Sequence, residues 1–435
     1  MKDKSLLRRL TEYSMTPFHM PGHKRAMKKS VIPYGIDITE VEGFDNLHNM
    51  QGVLKDVADM AKGLYKAVCS FPLVNGSTCG ILAAIYTATR ENKKILIARN
   101  CHKSVYSAVE ILGLDAHYIM ADSDEYGVFG KVSADDIKEK LDKEDIGCVV
   151  ITSPTYEGVM SDVGAIYEVC KEKGAYLIVD SAHGAHFFEH LSPCCDMCVV
   201  SLHKTLPSLT QTALLNVCSG RVDTDTVRHA LSIFETSSPS YVLLASVDEC
   251  LRYIKKNREE FLKFSKNLDA FYENCKNFTN IKVTHYDDKS KIIVLGNGEK
   301  IAQNLRCEKI EPEMTAPSYV LLMATVMDTK KSLNKLYKAL FKTDKTIEEI
   351  APLCPVPDEI PEKILSSKDA LSLSGEFSDL SGCEGKVSLE YIWAYPPGVP
   401  IIVPGEVISA EIISYIKSRN DLYSTKGKLP KIYVK

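Results

Sequence analysis

Residues 93–120, "KKILIARNCHKSVYSAVEILGLDAHYIM", contain two apolar runs separated by a helix-like segment. An apolar run over 93–98 predicts a strand, residues 102–113 predict a helix, and residues 116–120 predict a second strand. Continuous apolar strands separated by a helix are typical of βαβ units, whose strands lie parallel and are covered on both faces. The stretch therefore predicts an α/β fold.

The same alternation continues from about residue 70 to residue 218. The further predicted elements are helices over 134–141 and 164–174 and strands over 147–153, 175–180 and 196–201. Together they predict a mostly parallel sheet sandwiched by helices. Because ligands collect at the carboxyl ends of the strands in such sheets, the candidate positions for a site are the loops after residues 98, 152, 180 and 201.

The pattern changes beyond about residue 265. A hairpin over 281–297, followed by another strand and two helices, predicts a smaller α+β domain. We expect an N-terminal arm over 1–50, a large domain over 51–265 and a small C-terminal domain over 266–435. The segment 345–385, rich in Pro, Ser, Glu and Lys, is expected to be irregular.

The composition excludes several classes of protein. The 435 residues contain 45% apolar and 25% charged residues, with a formal net charge of −4. This balance is ordinary for a globular protein and unlike a basic nucleic-acid-binding surface. The first residues contain no apolar core of signal-peptide length, and the longest apolar stretch, 319–327, is too short to span a bilayer. We therefore expect a cytoplasmic protein that binds neither membranes nor nucleic acids.

The cysteines do not indicate a metal site or a disulfide framework. Many of the 14 cysteines lie inside apolar runs, where cysteine behaves as a small hydrophobic residue. Cys195 and Cys198 have the spacing of half a zinc site, but no second pair of suitable spacing accompanies them. We expect no metal.

A phosphate site is suggested by "LVNGSTCGI", residues 73–81, where a strand leads into a helix through Gly76, Ser77 and Thr78. The free N–H groups of a helix N-terminus, the helix dipole and two hydroxyls suit a phosphate group. The alternative is an ordinary N-cap, because Ser and Thr are common before helices.

Two further strand ends carry charged side chains. Asp180 ends the buried strand of "YLIVDSAHGAH", residues 176–186, where a carboxylate needs a partner. It is either an N-cap or the partner of a cation, and metal ligation by His183 and His186 is the weaker alternative. Lys204 ends the next strand, in "VVSLHK", residues 199–204. It either reaches solvent or acts as a nucleophilic amine.

A phosphate site, a strand-end aspartate and a strand-end lysine are the three anchors that pyridoxal phosphate (PLP) needs. The aspartate keeps the pyridine nitrogen protonated, the lysine forms an imine, and the helix N-terminus holds the phosphate. The cofactor ring also needs a flat partner, and His102 in a strand-end loop is the candidate. These positions predict a PLP enzyme.

The chain resembles the ornithine/lysine/arginine decarboxylases of the aspartate-aminotransferase fold, in their short form without an N-terminal wing domain. The similar stretches, in the family's order, are "FHMPGHKR" (18–25), "DITEVEGFDNLHN" (37–49), "NGSTCGI" (75–81), "RNCHKS" (99–104), "SPTYEGV" (153–159), "VDSAHGAHF" (179–187), "SLHKTLPSLTQ" (201–211), "TSSPSY" (236–241) and "WAYPPGVPIIVPGE" (393–406). The resemblance implies a sheet of the seven-stranded type (fold type I).

The resemblance also implies roles for single residues. Lys204 would form the imine, Asp180 would pair with the pyridinium nitrogen, His102 would stack on the ring, and His183 would lie near its phenolic oxygen. Larger relatives often have Trp at the position of His183. The residues implied to hold the phosphate are Gly76, Ser77, Thr78, Ser201 and His203, and Thr155 would approach the cofactor.

The family arrangement places "TSSPSY" at the phosphate of a neighbouring subunit, which puts Thr236 and Ser237 in a partner's site. The resemblance thus implies a homodimer with shared active sites, or a tetramer. A decamer is not expected because the wing domain has no counterpart here.

The implied reaction is decarboxylation of a basic amino acid, with arginine favoured and lysine or ornithine open, to give CO2 and a polyamine or its precursor through an imine with PLP. A basic substrate needs an acidic residue at its distal end, and Glu313 and Glu40 are the candidates. Two alternatives stay open. One is another fold type I enzyme, an aminotransferase or carbon–sulfur lyase, and the other is a non-catalytic regulatory relative.

Overall fold

The computed structural model describes residues 5–17, 19–27, 30–188, 194–347, 355–357, 359–394, 398–419 and 421–435. Residue 18 of "FHMPGHKR", residues 395–397 of "WAYPPGVPIIVPGE" and part of the segment 345–385 lie outside the described residues. The chain divides into two compact units. Unit 1 contains Met1–Arg90 and Tyr176–Leu262, and unit 2 contains Glu91–Ala175 and Lys263–Lys435.

Helices and strands alternate along most of the chain. The helices are α1 (Leu6–Glu12), α2 (Val53–Tyr65), α3 (Gly76–Ala88), α4 (Lys103–Leu112), α5 (Ala134–Lys143), α6 (Val163–Glu172), α7 (Leu202–Thr205), α8 (Thr224–Phe234), α9 (Tyr241–Lys256), α10 (Arg258–Cys275), α11 (Gly298–Cys307), α12 (Lys330–Asp344), α13 (Ser367–Ser372) and α14 (Ala410–Lys417). The strands are β1 (Cys69–Leu73), β2 (Lys94–Ala98), β3 (Asp115–Ile119), β4 (Cys148–Thr152), β5 (Tyr176–Asp180), β6 (Met197–Ser201), β7 (Ala213–Val217), β8 (Lys282–Thr284), β9 (Lys291–Leu295), β10 (Met314–Thr315), β11 (Tyr319–Met323), β12 (Glu376–Asp379), β13 (Ile392–Ala394), β14 (Val399–Ile402), β15 (Leu422–Ser424) and β16 (Lys431–Val434).

Unit 1 contains four strands in the order β1-β7-β6-β5. β5 and β6 pair in parallel, whereas β7 runs antiparallel to both β6 and β1. All five residues of β6 are buried, as expected for a strand covered on both faces. The register places Ala213, the first residue of β7, opposite both Leu73 and Ser201. The carboxyl ends of β1 and β6 therefore lie at one edge of the sheet.

Two glycines let α3 start close to this sheet edge. Gly76 has a φ of +74°, a left-handed conformation that is strained for other residues. A Cβ atom on Gly80 would lie 2.7 Å from Cδ1 of Leu73 and 3.1 Å from Cγ1 of Val199. The helix can lie against β1 and β6 because Gly80 has no side chain.

The N-terminal segment packs into unit 1. Leu6, Leu10, Ile38 and Phe44 are buried in one apolar cluster with Tyr241 of α9. The backbone N–H of Leu6 donates to the buried carboxylate of Asp248 at 2.7 Å. The segment predicted to be an arm thus contributes to the core of unit 1.

Unit 2 contains three parallel strands in the order β4-β2-β3, with α4, α5 and α6 between or beside them in the chain. Local sequence explains where these helices begin: the side chains of Ser133 and Asp162 accept hydrogen bonds from the N–H groups of Asp136 and Ala165, which is ordinary N-capping.

The rest of unit 2 contains smaller sheets. An antiparallel sheet has the order β10-β11-β9-β8, β12 pairs with β16, and β13 lies between β14 and β15. The predicted hairpin over 281–297 is confirmed by β8 and β9. The expectation that 345–385 is irregular is wrong for α13 and β12, because β12 finds its partner strand more than fifty residues further along the chain.

The predicted α/β class is confirmed. Seven strands, β1 to β7, belong to the mostly parallel part of the fold, four in unit 1 and three in unit 2. The boundaries at residues 50 and 265 stay predictions. Within the described ranges, no helix is both long enough and apolar enough to cross a membrane.

Candidate active site

Lys204 lies in the short helix α7, directly after β6. Its Nζ atom is 3.0 Å from Nε2 of His183, and the side chain is only partly exposed. The lysine is therefore held beside a histidine of the loop that follows β5, rather than extended into solvent.

Asp180 is the last residue of β5 and is 3% exposed. Burial raises the pKa of this carboxyl above its ordinary value, although the positive charge of Lys204 and a hydrogen bond from the N–H of Ala182 act in the opposite direction. The pair consists of a buried carboxylate and a cation on neighbouring strand ends, as the sequence predicts.

Ser77 and Thr78 lie in the first turn of α3 and do not cap it. The N-cap residue is Asn75, whose side chain makes no capping hydrogen bond. Helix geometry leaves the N–H groups of this first turn without intrahelical acceptors, and the N–H of Gly76 donates to the carbonyl of Gln211 at 2.8 Å. The N–H groups of Ser77 and Thr78, with their hydroxyls, are the donors that an anion would use.

A turn that precedes β7 connects this helix start to α7. The carbonyl of Gln211 accepts from Gly76, and the carbonyl of Thr212 accepts from the N–H of Leu202 at 3.1 Å and from Nδ1 of His203 at 2.9 Å. Burial lowers the pKa of His203 below its ordinary value. In the neutral ring the proton lies on Nδ1, because a carbonyl only accepts.

Ser201 is fully buried at the end of β6, and its Oγ has no hydrogen-bond partner among the described residues. The same holds for Oγ1 of Thr205, one residue beyond Lys204. Buried hydroxyls are rarely left without partners. Two such donors lie three residues before and one residue after Lys204 in the chain, and they fit the donor set that a phosphate group needs.

Thr236 and Ser237 follow α8 and lie beside the start of α3 in the same chain. His48 Nε2 is 3.0 Å from the carbonyl of Thr236, and the N–H of Thr236 is 3.5 Å from Oδ1 of Asn75. The backbone of the segment is thus anchored, while Ser237 is exposed.

His102 and Thr155 belong to unit 2. His102 is the N-cap of α4, and its Nδ1 is 3.2 Å from the N–H of Ser104 and 2.9 Å from its Oγ. Thr155 is buried, and its Oγ1 accepts from the N–H of Val159 at 3.2 Å. The hydroxyl of Thr155 thus stabilises the loop over 155–159, and Ser104 of α4 orients the ring of His102.

The two candidate acidic residues have different partners. Glu313, in unit 2, is exposed and accepts a hydrogen bond of 2.5 Å from the hydroxyl of Tyr156. Glu40, in unit 1, accepts from the side-chain amide of Asn46 at 3.1 Å.

Profiles of two protein families match the chain. The family described as Orn/Lys/Arg decarboxylase, major domain, matches residues 5–313, and the Orn/Lys/Arg decarboxylase C-terminal domain matches residues 366–426. The chain belongs to the Orn/Lys/Arg decarboxylase family. The resemblance predicted from its motifs is therefore confirmed.

Similar proteins include arginine and lysine decarboxylases. The chain is 30% identical to the arginine decarboxylase of Bacillus subtilis, over 92% of this chain and 89% of that protein. It is 28% identical to that of Halalkalibacterium halodurans, over 94% of this chain and 91% of that protein. Identity to the inducible lysine decarboxylase of Escherichia coli K12 is 22%, over 85% and 68% of the two chains.

Solved structures show the same fold. A lysine decarboxylase of Francisella novicida aligns with a TM-score of 0.84 at 18% identity, covering 99% of this chain and 80% of that one. A PLP-containing serine palmitoyltransferase from S. paucimobilis aligns with a TM-score of 0.54 at 14% identity, over 67% and 76% of the two chains. The fold of this family member is that of fold type I PLP proteins.

Two buried polar residues near the strand ends, Thr205 and Glu235, were not singled out from the sequence. Thr205 follows the lysine directly, so its position was a usable signal. Glu235 is 6% exposed, accepts the N–H of Val74 at 2.7 Å, and has a pKa that burial raises to about 7. In the sequence it appears only as a polar residue at the end of a helix. Among the described residues, no group of three or more His, Cys, Asp or Glu side chains could hold a metal.

Proposed function

We propose that this chain is a PLP-dependent decarboxylase of a basic amino acid, which forms CO2 and a polyamine or its precursor. The observation that carries the proposal is the arrangement in unit 1, where Lys204 is 3.0 Å from His183, within the electrostatic influence of the buried Asp180. Family membership supports the reaction class.

The residues present fit the cofactor. The buried Oγ of Ser201 has no partner among the described residues, and the first turn of α3 leaves N–H groups available at Ser77 and Thr78. We assign these groups to the phosphate; the N–H of Gly76 is bonded to the carbonyl of Gln211, so the role of Gly76 stays a prediction from the resemblance. His203 donates from Nε2 only when its ring is protonated, because Nδ1 is bonded to the carbonyl of Thr212.

When bound, PLP supplies an electron-withdrawing ring that accepts the electron pair left by the departing carboxylate. Lys204 provides the amine that attaches the cofactor, and Asp180 holds a proton at the ring nitrogen. Its burial suits this task, because a buried carboxylate interacts strongly with a single cationic partner. His183 accepts a hydrogen bond from a protonated Lys204, which keeps a proton at Nζ, or donates one to the neutral amine.

Arginine is the favoured substrate, with lysine or ornithine as alternatives. The similar arginine decarboxylases are 28–30% identical to this chain over about nine tenths of it, whereas the lysine decarboxylase of E. coli K12 is 22% identical. We assign binding of the positively charged distal group of the substrate to Glu313 or Glu40. The hydrogen bond from Tyr156 orients the carboxylate of Glu313, which favours this residue.

We further propose a homodimer or tetramer in which Thr236 and Ser237 reach the phosphate of a partner subunit, as the family resemblance implies. The anchored backbone at Thr236 and the exposed side chain of Ser237 support this role. The cytoplasmic location stays a prediction from the sequence, and so do the roles of His102 and Thr155.

No observation favours an aminotransferase. Such an enzyme of this fold would need an arginine to grip the substrate carboxylate, and residues 266–435 contain only Arg306 and Arg419. Arg306 forms an ion pair with Glu311, and Arg419 forms one with Asp421.

The test is CO2 release by the purified, PLP-loaded protein supplied separately with arginine, lysine and ornithine, with the amine product measured in parallel. We expect equal amounts of CO2 and amine from at least one substrate. Lys204→Ala should abolish both this activity and the absorbance band of the attached cofactor, whereas Lys62→Ala, at an exposed position of α2, should change neither. Absence of CO2 from all three amino acids would overturn the proposal. A keto acid formed without CO2 would instead favour an aminotransferase.

A further inference from the structure

A buried ion pair joins the turn that carries His102 to a distant part of unit 2. The guanidinium of Arg99 bonds the carboxylate of Glu406 through two contacts, Nη1 to Oε1 at 2.8 Å and Nη2 to Oε2 at 2.7 Å. The side chains are 4% and 0% exposed, respectively. Such a two-pronged, charge-assisted pair fixes relative position more strictly than a single hydrogen bond does.

The pair is part of a closed network. Nη2 of Arg99 also donates to the carbonyl of Ile401 at 3.1 Å, and Oε2 of Glu406 accepts the N–H of Val403 at 2.7 Å. The guanidinium carbon lies 5.0 Å from the centre of the Tyr118 ring. The hydrogen-bond acceptors of residues 401–406 and the ring of Tyr118 together hold the guanidinium in one place.

The same C-terminal segment makes a second contact on the other side of His102. The N–H of Lys103, in the first turn of α4, donates to the carbonyl of Gly398 at 3.0 Å. The side chain of Arg99 and the backbone of Lys103 thus both bond residues 398–406, while the backbone of Arg99 bonds Ile119 and Tyr106. His102 lies between these two attachment points, and the N–H and hydroxyl of Ser104 orient its ring.

We propose that Arg99 and Glu406 are positioning residues for His102, and that the segment 398–406 holds the turn that carries this histidine. This inference rests on the proposed function, in which His102 stacks on PLP. The carboxylate of Glu406 bonds the guanidinium of a turn residue 307 positions earlier in the chain.

A purely structural role would predict something different. Glu390 offers the matched comparison, because it is also a fully buried glutamate of the C-terminal part of unit 2. Its carboxylate accepts the N–H groups of Lys426 and Tyr433 at 2.9 and 2.7 Å. If Glu406 only stabilised this part of the chain, Glu406→Gln and Glu390→Gln would affect the site alike.

The experiment measures the dissociation constant of PLP from the cofactor-free protein in wild type, Glu406→Gln, Glu390→Gln, His102→Ala and the double variant His102→Ala/Glu406→Gln. We expect Glu406→Gln and His102→Ala each to weaken PLP binding about fivefold or more, and Glu390→Gln to change it less than about twofold. The double variant should bind PLP no more weakly than His102→Ala alone, because Glu406 acts through His102 and their effects do not multiply.

The chain's single tryptophan, Trp393, provides a check on folding that needs no cofactor. Trp393 stacks on Tyr391 with ring centres 4.6 Å apart and contacts Tyr106 of α4 at 5.8 Å. An unchanged emission spectrum in Glu406→Gln shows that the C-terminal part still packs against α4. If the spectrum of Glu406→Gln shifts to that of an exposed tryptophan, the same set of measurements is made with Arg99→Lys instead. This variant keeps the positive charge but loses the two-pronged geometry.

Three results would overturn the inference: unchanged PLP affinity in Glu406→Gln and Arg99→Lys, an equal loss in Glu390→Gln, or effects that multiply in the double variant. None of these depends on catalysis. If the wild-type protein binds PLP but releases no CO2 from arginine, lysine or ornithine, the proposed function fails while the positioning of His102 is still tested by PLP affinity.

Discussion

Glu235 allows a quantitative prediction about stability and pH. This residue follows α8 and is 6% exposed, and its carboxylate accepts a hydrogen bond from the N–H of Val74. Burial raises its pKa from an ordinary 4.5 to about 7. We expect Glu235→Gln, which removes the charge but keeps the shape, to stabilise the protein at high pH.

The sign follows from proton linkage. The folded protein holds this proton more tightly than the unfolded chain does, so folding is favoured at low pH and this advantage is lost as pH rises through 7. With a pKa of 4.5 in the unfolded chain and about 7 in the folded protein, burial of this carboxyl lowers the free energy of unfolding by about 3 kcal/mol at pH 8 and by about 1 kcal/mol at pH 5. The glutamine variant carries no such dependence. Its free energy of unfolding relative to wild type should therefore rise by about 2 to 3 kcal/mol between pH 5 and pH 8.

The measurement is urea-induced unfolding of the cofactor-free protein followed by circular dichroism at several pH values. Comparing the two pH values within one variant cancels any constant cost of burying the glutamine amide. Glu299→Gln, at an exposed position of α11, serves as the control and should show a difference that does not vary with pH. A Glu235→Gln difference that stays constant from pH 5 to pH 8 would show that the carboxyl is not held in a buried, uncharged state, and the reasoning would be wrong.

Three other substitutions test the candidate site. Asp180→Asn should lower the decarboxylation rate by about 10²-fold or more, because a neutral amide does not stabilise the positive charge of a protonated ring nitrogen. Steady-state kinetics at saturating PLP would measure this loss of rate. A loss below threefold would contradict the prediction. Ser201→Ala should have opposite effects in two assays. It should stabilise the cofactor-free protein by about 1 kcal/mol, because a buried unpaired hydroxyl is removed. It should also weaken PLP binding severalfold, because a proposed phosphate donor is lost. A thermal melt and a PLP titration check this pair of effects, and a destabilised cofactor-free variant would argue against the unpaired hydroxyl. Glu313→Gln should raise KM for the preferred substrate about tenfold with kcat little changed. The control Glu311→Gln, two residues away and paired with Arg306, should leave both constants unchanged. Equal effects of the two substitutions would exclude Glu313 as the residue that binds the distal cation of the substrate.

Much of the fold followed from local pattern. The quoted stretch at 93–120 predicts a strand, a helix and a strand, and the structure has β2, α4 and β3 within two residues of those limits. Such elements are predictable because periodicity and capping depend on neighbours only a few residues away. The same reasoning placed Asp180 and Lys204 at strand ends, and the parallel pairing of β5 with β6 brings those ends together.

Local pattern was less informative where a side chain could serve two purposes. Ser77 and Thr78 had an equally ordinary interpretation as helix caps, and only the structure shows Asn75 at the cap position. Thr155 was expected to approach the cofactor, and in the structure its hydroxyl accepts the N–H of Val159. Its role toward PLP stays a prediction.

The order of the elements, the family and the residue types at the strand ends follow from the amino-acid sequence alone. Folding is what brings the amine of Lys204 to His183, buries the hydroxyl of Ser201 without a partner among the described residues, and pairs Arg99 with Glu406. The physical reason is that burial, pKa and ion pairing depend on groups that strand register and packing bring together from distant parts of the chain, and no local pattern records those distances.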